Sequence, residues 1–180
     1  MHALASDALI IEKAKQIKLL ILDVDGVLTD GRLYFDNDGN EYKSFNAQDG
    51  HGIKMLRQVG IEIAVISGRK SVVVAKRMQD LGINHVYLGY DDKRVALSEL
   101  LDKLALSSQQ IAHVGDDVLD LPIMSRVGLG IAVADANFAV KQYADACTTR
   151  AGGLGAVREV CDFILQAQGH FDALISAYLA

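Results

Sequence analysis

The sequence predicts an α/β fold, a doubly wound parallel sheet, and three observations predict it. Uninterrupted apolar runs of four to six residues alternate with segments of helical period along the 180 residues. Most of those helical segments end at a glycine suited to a left-handed cap. One turn-rich insertion alone breaks the alternation. Strands covered by helices on both faces read as continuous apolar runs, and right-handed crossovers distribute the helices over both sides of a parallel sheet.

The first run, Lys18 to Leu22, is too short for a helix and apolar on both faces, which suits a central strand. Then comes the insertion. Gly31 to Phe35 and Glu41 to Phe45 are rich in β-formers and flank the turn-forming Asp36 to Asn40, which predicts a projecting hairpin. Asp30 opens it. A helix over Asp49 to Val59 ends at Gly60, and Ile61 to Ile66 is the second sheet strand. Ser71 to Leu81 is a helix before Gly82, His85 to Leu88 the third strand, and Asp92 to Leu104 the next crossover helix. Ile111 to Val114 and Leu129 to Val133 are strands four and five, separated by a helix over Leu119 to Val127 that ends before Gly128. With no linker, repeat or low-complexity tract, residues 1–180 read as a single domain.

Composition excludes several classes. The chain is 51% hydrophobic and 23% charged, and 18 basic against 23 acidic residues give a net charge of −5. Duplex binding requires clustered Lys and Arg, and here they are dispersed, so no nucleic-acid partner is expected. No apolar run approaches the length that spans a bilayer and the N-terminus lacks signal-peptide character, so no membrane partner is expected either. Cys147 and Cys161 lie too far apart for a zinc or redox motif and read as small buried residues. A cytoplasmic location follows as the default expectation.

In a doubly wound sheet, ligands sit beyond the carboxyl ends of the strands. Asp23, Asp25 and Asp30 follow the first strand, Ser67-Gly68-Arg69 the second, and Gly115-Asp116-Asp117 with Asp120 the fourth. Carboxylates converging at one edge raise one another's pKa unless a cation neutralises them, and an all-oxygen set suits a hard ion such as Mg²⁺. Lys93 brings a positive charge to the same edge, and Ser67 and the Gly68 amide bring donors. Together these make a phosphate site.

The ordered set DxDGVxT at Asp23 to Thr29, Ser67 within ISGR, Lys93, and GDDxxD at Gly115 to Asp120 resembles the four motifs of the haloacid-dehalogenase superfamily of phosphohydrolases. More narrowly, the hairpin, FNAQDGHGI at Phe45 to Ile53, AVADA at Ala132 to Ala136 and the stretch Gly152 to Gly169 resemble the 3-deoxy-D-manno-octulosonate 8-phosphate phosphatases over roughly residues 15 to 170. The resemblance implies that Asp23 is the nucleophile that forms an aspartyl-phosphate and that Asp25 is the general acid and base. It implies Mg²⁺ on Asp23, the Asp25 backbone carbonyl and Asp116, with Asp117 and Asp120 supporting those ligands from behind. Ser67, Gly68 and Lys93 would hold the phosphoryl oxygens.

Blander roles stand beside several of these. Asp117 or Asp120 also suits a helix cap. Arg69 suits a substrate carboxylate or phosphate, or a surface ion pair. Arg77 and Arg158 are further substrate-binding candidates. His51 and His113 have no soft ligand near them and receive no role. Gly152 to Gly155 suits either anion binding by backbone amides or turn chemistry. The family often carries an arginine at the position of Gln48 and a basic residue at that of Leu154, and both departures remove positive charge near the substrate.

Only 43 residues separate Asp23 from Ser67 and 25 separate Ser67 from Lys93, so no cap domain fits. Walls around a small substrate must then come from a neighbouring subunit. The aromatic hairpin, which needs a partner, points to a closed oligomer, and the resemblance implies a homotetramer with hairpins at its centre. The leading reading is an Mg²⁺-dependent phosphatase for the eight-carbon sugar-acid phosphate of lipopolysaccharide synthesis. A nonulosonate 9-phosphate is the alternative substrate. A receiver-like phospho-aspartate signalling module is the alternative of another class, opposed by an acid two residues after the nucleophile and by an acidic pair after strand four instead of strand one.

Overall fold

The computed structural model describes residues 2–4 and 7–179. The strands are β1 His2–Ala3, β2 Leu19–Leu22, β3 Tyr34–Phe35, β4 Glu41–Tyr42, β5 Glu62–Ser67, β6 His85–Leu88, β7 Ile111–Gly115, β8 Leu129–Ala132 and β9 Ala146–Cys147. The helices are α1 Ala8–Lys15, α2 Ala47–Gln58, α3 Val72–Asp80, α4 Lys93–Leu104, α5 Leu121–Met124, α6 Phe138–Tyr143, α7 Ala156–Ala167 and α8 Phe171–Leu179. Seven strands form one sheet in the order β1-β9-β8-β7-β2-β5-β6, every neighbouring pair parallel. The doubly wound α/β class expected from the sequence is the observed one.

The apolar runs explain the two-sided burial. All four residues of β2 are buried, and alternation along the strand divides them between two cores. Leu20 and Leu22 join Ile63 and Val65 of β5 beneath α1, α2, α3 and α7. Leu19 and Ile21 join Ala64 and Ile66 against Ala96, Leu97 and Leu100 of α4. From β2 the chain steps to β5 and β6 on one side, then crosses back to β7, β8 and β9 on the other. The reversal falls between β2 and β7, where a sheet of this kind opens a crevice. Register aligns the strand ends there: Leu22 pairs with both Val65 and Val114.

Several expectations need correction. The helix expected over Leu119 to Val127 is a 3₁₀ turn at Val118–Asp120 followed by the short α5, with Pro122 in its first turn. Gly128 does not cap it with a left-handed residue. It is needed because a Cβ there would lie 2.5 Å from the Gln109 carbonyl oxygen. The second hairpin strand stops at Tyr42, short of Phe45. Its turn is closed by the Asp36 carboxylate, which accepts from the amides of Asp38 and Asn40 at 3.0 and 2.8 Å. Sequence periodicity did not reveal α1, α6, α8 or the two-residue strands β1 and β9. Cys161 is buried as expected, and Cys147 is half-buried; both are free thiols. Among the described residues, no helix is long and apolar enough to cross a membrane.

Candidate active site

Asp23 follows β2 directly, its amide donating to the Val114 carbonyl at 3.1 Å, so backbone pairing with β7 fixes the position of its side chain. The next residues turn sharply. The amides of Leu28 and Thr29 converge on the Val24 carbonyl at 2.9 and 3.0 Å. Gly26 has φ +87°, and a Cβ there would lie 2.1 Å from Asp116 Oδ2. Glycine therefore lets the turn after Asp23 and the Asp116 carboxylate approach each other. A second loop braces this turn from behind. The Gly153 amide donates to the Val27 carbonyl at 2.9 Å, and a Cβ on Gly152 would fall 1.7 Å from the Gly26 carbonyl oxygen.

Lys93 begins α4, which Asp92 caps by accepting from the Arg94 amide at 3.0 Å. Its side chain is 4% exposed, and Nζ lies 2.8 Å from Asp23 Oδ1 and 2.6 Å from Asp120 Oδ1. The other Asp120 oxygen accepts from the amides of Asp116 and Asp117 at 2.9 and 3.3 Å, so this carboxylate shapes the loop after β7. Burial pushes the Asp120 carboxyl up, but His113, then Lys93 and the Asp116 amide, hold it below the usual range. His113 lies behind, fully buried, and burial lowers its pKa to about 4.

One carboxylate oxygen from each of Asp23, Asp116 and Asp120 lies within 4.8 Å of the others. Burial and then the charges of Asp23, Asp120 and Asp117 push Asp116 up to about 8. Burial and then the Asp120 charge push Asp23 up to about 7, against Lys93. Lys93 alone leaves this cluster short of positive charge, because its ammonium lies between Asp23 and Asp120. An all-oxygen set lacking a counter-charge fits a hard divalent cation, so the residues present suit Mg²⁺.

These groups line one cleft of about 250 Å³ with Asp25, Ser67, Gly68, Arg69, Asp117 and Leu119. Ser67, at the end of β5, is 4% exposed. Asp117 is exposed and caps the 3₁₀ turn through the Val118 amide at 2.8 Å, the blander of its two expected roles. Arg69 reaches Asp25 Oδ2 at 3.7 Å and Glu41 at 3.1 Å.

The structure does not bring Arg77 or Arg158 into this cleft. The Arg77 guanidinium lies 5.9 Å from the centre of the Phe45 ring. Arg158 bonds Asp162 at 2.8 Å and, with Gln48 and Arg150, lines a separate cavity of about 520 Å³ beside α7. Leu154 is exposed.

Sequence reasoning missed two residues. Lys43, just past β4, has a side chain 1% exposed and pairs its ammonium with Asp25 Oδ1. Glu41 accepts from Ser71 Oγ at 2.6 Å and lies 3.4 Å from Lys43, joining the hairpin to the loop after β5. The available signal was the spacing of two along an extended segment, which puts Glu41 and Lys43 on one face and Tyr42 on the other.

A family model described as haloacid dehalogenase-like hydrolase matches residues 89–159. The 3-deoxy-D-manno-octulosonate 8-phosphate phosphatase KdsC of Escherichia coli strain K12 is 52% identical over 163 residues, which are 91% of this chain and 87% of that one. A probable YrbI family phosphatase from Pseudomonas syringae superposes with a TM-score of 0.95 at 50% identity, covering 97% of this chain and 99% of that one. A 3-deoxy-D-manno-octulosonate 8-phosphate phosphatase from Moraxella catarrhalis, solved with magnesium ion, phosphate ion and KDO, superposes with a TM-score of 0.91 at 45% identity, covering 93% and 97%. With half its residues shared across nine-tenths of its length and the same fold beneath them, the chain belongs to the 3-deoxy-D-manno-octulosonate 8-phosphate phosphatases, within the haloacid dehalogenase-like hydrolases.

Proposed function

We propose that the chain is an Mg²⁺-dependent phosphomonoesterase that converts 3-deoxy-D-manno-octulosonate 8-phosphate to the free sugar acid and phosphate, within lipopolysaccharide biosynthesis. The observation that carries the chemistry is the buried Lys93 ammonium between Asp23 and Asp120, at the one sheet edge that also holds Asp25, Ser67 and Asp116. Such a site can hold a phosphoryl group and present a carboxylate to it.

Asp23 attacks phosphorus, and the bond to the sugar oxygen breaks as Asp25 protonates it. Asp25 then takes a proton from water, whose oxygen displaces Asp23 from phosphorus and frees phosphate. The same proton is needed twice in opposite directions, which one carboxyl beside the nucleophile can serve. Ser67, the Gly68 amide and Lys93 hold the phosphoryl oxygens, where charge must be stabilised during transfer. Mg²⁺ would be held by Asp23, the Asp25 backbone carbonyl and Asp116, and would supply positive charge that offsets the acids and the phosphate. Asp120 keeps Lys93 and the Asp116 amide in place, and Asp117 shapes the adjoining turn.

Arg69 stands at the cleft to meet the substrate carboxylate. Residues 1–180 work as one domain without a cap, so the far wall of the site comes from a neighbouring copy. Leu33, Tyr34, Phe35 and Tyr42 are exposed on and beside the hairpin, an apolar surface that supports a homotetramer built around the hairpins. Free thiols at Cys147 and Cys161 agree with a cytoplasmic setting.

Phosphate release from the eight-carbon and nine-carbon sugar-acid phosphates, each with Mg²⁺ and with chelator, tests the proposal. Metal-dependent turnover that favours the eight-carbon ester is expected. Faster turnover of the nine-carbon ester overturns the substrate, and a long-lived phosphoprotein without turnover overturns the phosphatase.

A further inference from the structure

Resting on that phosphatase reading, we infer that Lys43 is a positioning residue that divides the two oxygens of Asp25 between orientation and proton transfer. Oδ1 is bound by the Lys43 ammonium. Oδ2 is buried and has no hydrogen-bond partner among the described residues; Arg69 Nε, at 3.7 Å, is within ionic reach but beyond a hydrogen bond. An unsatisfied carboxylate oxygen in a reaction cleft is costly, and a bound substrate or water that shares a proton with it removes that cost.

The hairpin does not need Lys43 as an anchor. Glu41 already bonds Ser71 Oγ and Arg69, joining β4 to the loop after β5. A lysine side chain 1% exposed is an expensive way to add one more tether, since a buried ion pair contributes little net stability. What it does contribute is geometry. The ammonium on Oδ1 restrains the carboxyl group and leaves Oδ2, the oxygen without a hydrogen-bond partner, for proton transfer. The arrangement parallels Lys93 at Asp23: each of the two carboxylates that exchange bonds with the substrate has its own buried lysine.

In the first half-reaction the Oδ2 proton passes to the ester oxygen as the P–O bond to the sugar breaks and the bond from Asp23 to phosphorus forms. In the second, Oδ2 takes a proton from water as the water oxygen bonds phosphorus and the Asp23–phosphorus bond breaks. Oδ1 stays on Lys43 throughout.

Esters with different leaving groups provide the test, because a sugar alkoxide needs protonation as it departs and p-nitrophenolate needs almost none. With Lys43→Met, kcat on the sugar-acid phosphate is expected to fall about 100-fold with KM within about 3-fold, the loss typical of a misplaced general acid. The pre-steady-state burst of p-nitrophenolate from p-nitrophenyl phosphate is expected to stay within about 3-fold of wild type, and Lys43→Arg to recover most of kcat. Equal losses on both esters, a rise in KM alone, or no loss at all would each overturn the inference. Melting temperatures establish folding first, and Lys43→Gln replaces Lys43→Met if that variant does not fold. Failure of both to fold identifies a structural anchor and likewise overturns it. A wild type that turns over neither ester refutes the phosphatase reading itself, an outcome separate from any ratio between variant and wild type.

Discussion

The Lys93 ammonium, on the first turn of α4, lies 2.8 Å from the Asp23 carboxylate at the end of β2. A central strand and a helix packed against it thus meet in one ion pair at the sheet edge. Because Asp120 lies 2.6 Å from the same ammonium, removing it would leave two buried carboxylates facing each other. Lys93→Met is expected to destabilise the metal-free protein by about 3 kcal/mol, the cost of leaving buried charge unpaired. It is also expected to lower kcat by about 100-fold or more, since a preorganised cation at the transferring group is lost. Denaturant melts and steady-state assays check both, and an unchanged kcat contradicts the assignment.

Metal-free protein should lose stability as pH rises. Burial and neighbouring charge raise Asp116 to about 8 and Asp23 to about 7, from an ordinary value of 3.8. Across that window the folded state holds protons that the unfolded chain has released, so the unfolding free energy falls with pH until both groups are ionised. Mg²⁺ reverses the penalty by favouring the ionised pair. The rise in melting temperature on adding Mg²⁺ is therefore expected to be larger near about pH 8.5 than near about pH 5.5. Equal rises at the two pH values would contradict the carboxylate pair as the metal site.

Gly26→Ala tests the close approach beneath the turn after Asp23. Its φ of +87° penalises any side chain, and the new Cβ would collide with Asp116 Oδ2. Strain of about 1 kcal/mol is expected from the dihedral alone. Displacing Asp116 is expected to weaken Mg²⁺ binding by about 10-fold or more, the scale seen when groups that orient metal ligands are lost. Isothermal titration with the metal reads this directly.

Phe35 is 55% exposed on the hairpin and carries no polar group to satisfy. If hairpins pack together at the centre of a tetramer, Phe35→Asp places charge in an apolar contact and should convert the assembly to smaller species. Analytical ultracentrifugation measures it. An unchanged sedimentation coefficient would move the interface elsewhere.

Much of the scaffold was legible because β2, β5 and β7 are buried on both faces and therefore write themselves as unbroken apolar runs. The acids and donors at their ends followed from that placement. β1 and β9 were invisible because two residues carry no period. The region after Asp117 misled because its apolar residues suit one long helix, whereas Asp117 and Pro122 start two short turns there. Lys43 was missed for a different reason: a lysine just past a projecting hairpin looks solvated, and its burial against Asp25 is a tertiary contact that no local pattern reveals. Arg77 and Arg158, named as substrate-binding candidates, lie outside the cleft in this chain, one beside the Phe45 ring and the other paired with Asp162, contacts that no local pattern reveals.

The contact of Gly152 and Gly153 with the turn at Gly26 and Val27 joins the beginning of the chain to its end. Chemistry encoded near residue 25 is held in shape by a loop encoded more than a hundred positions later. A proteolytic nick or an inserted residue confined to the Gly152–Leu154 loop, ahead of the core helix α7, should therefore register first as lost turnover, before any visible unfolding.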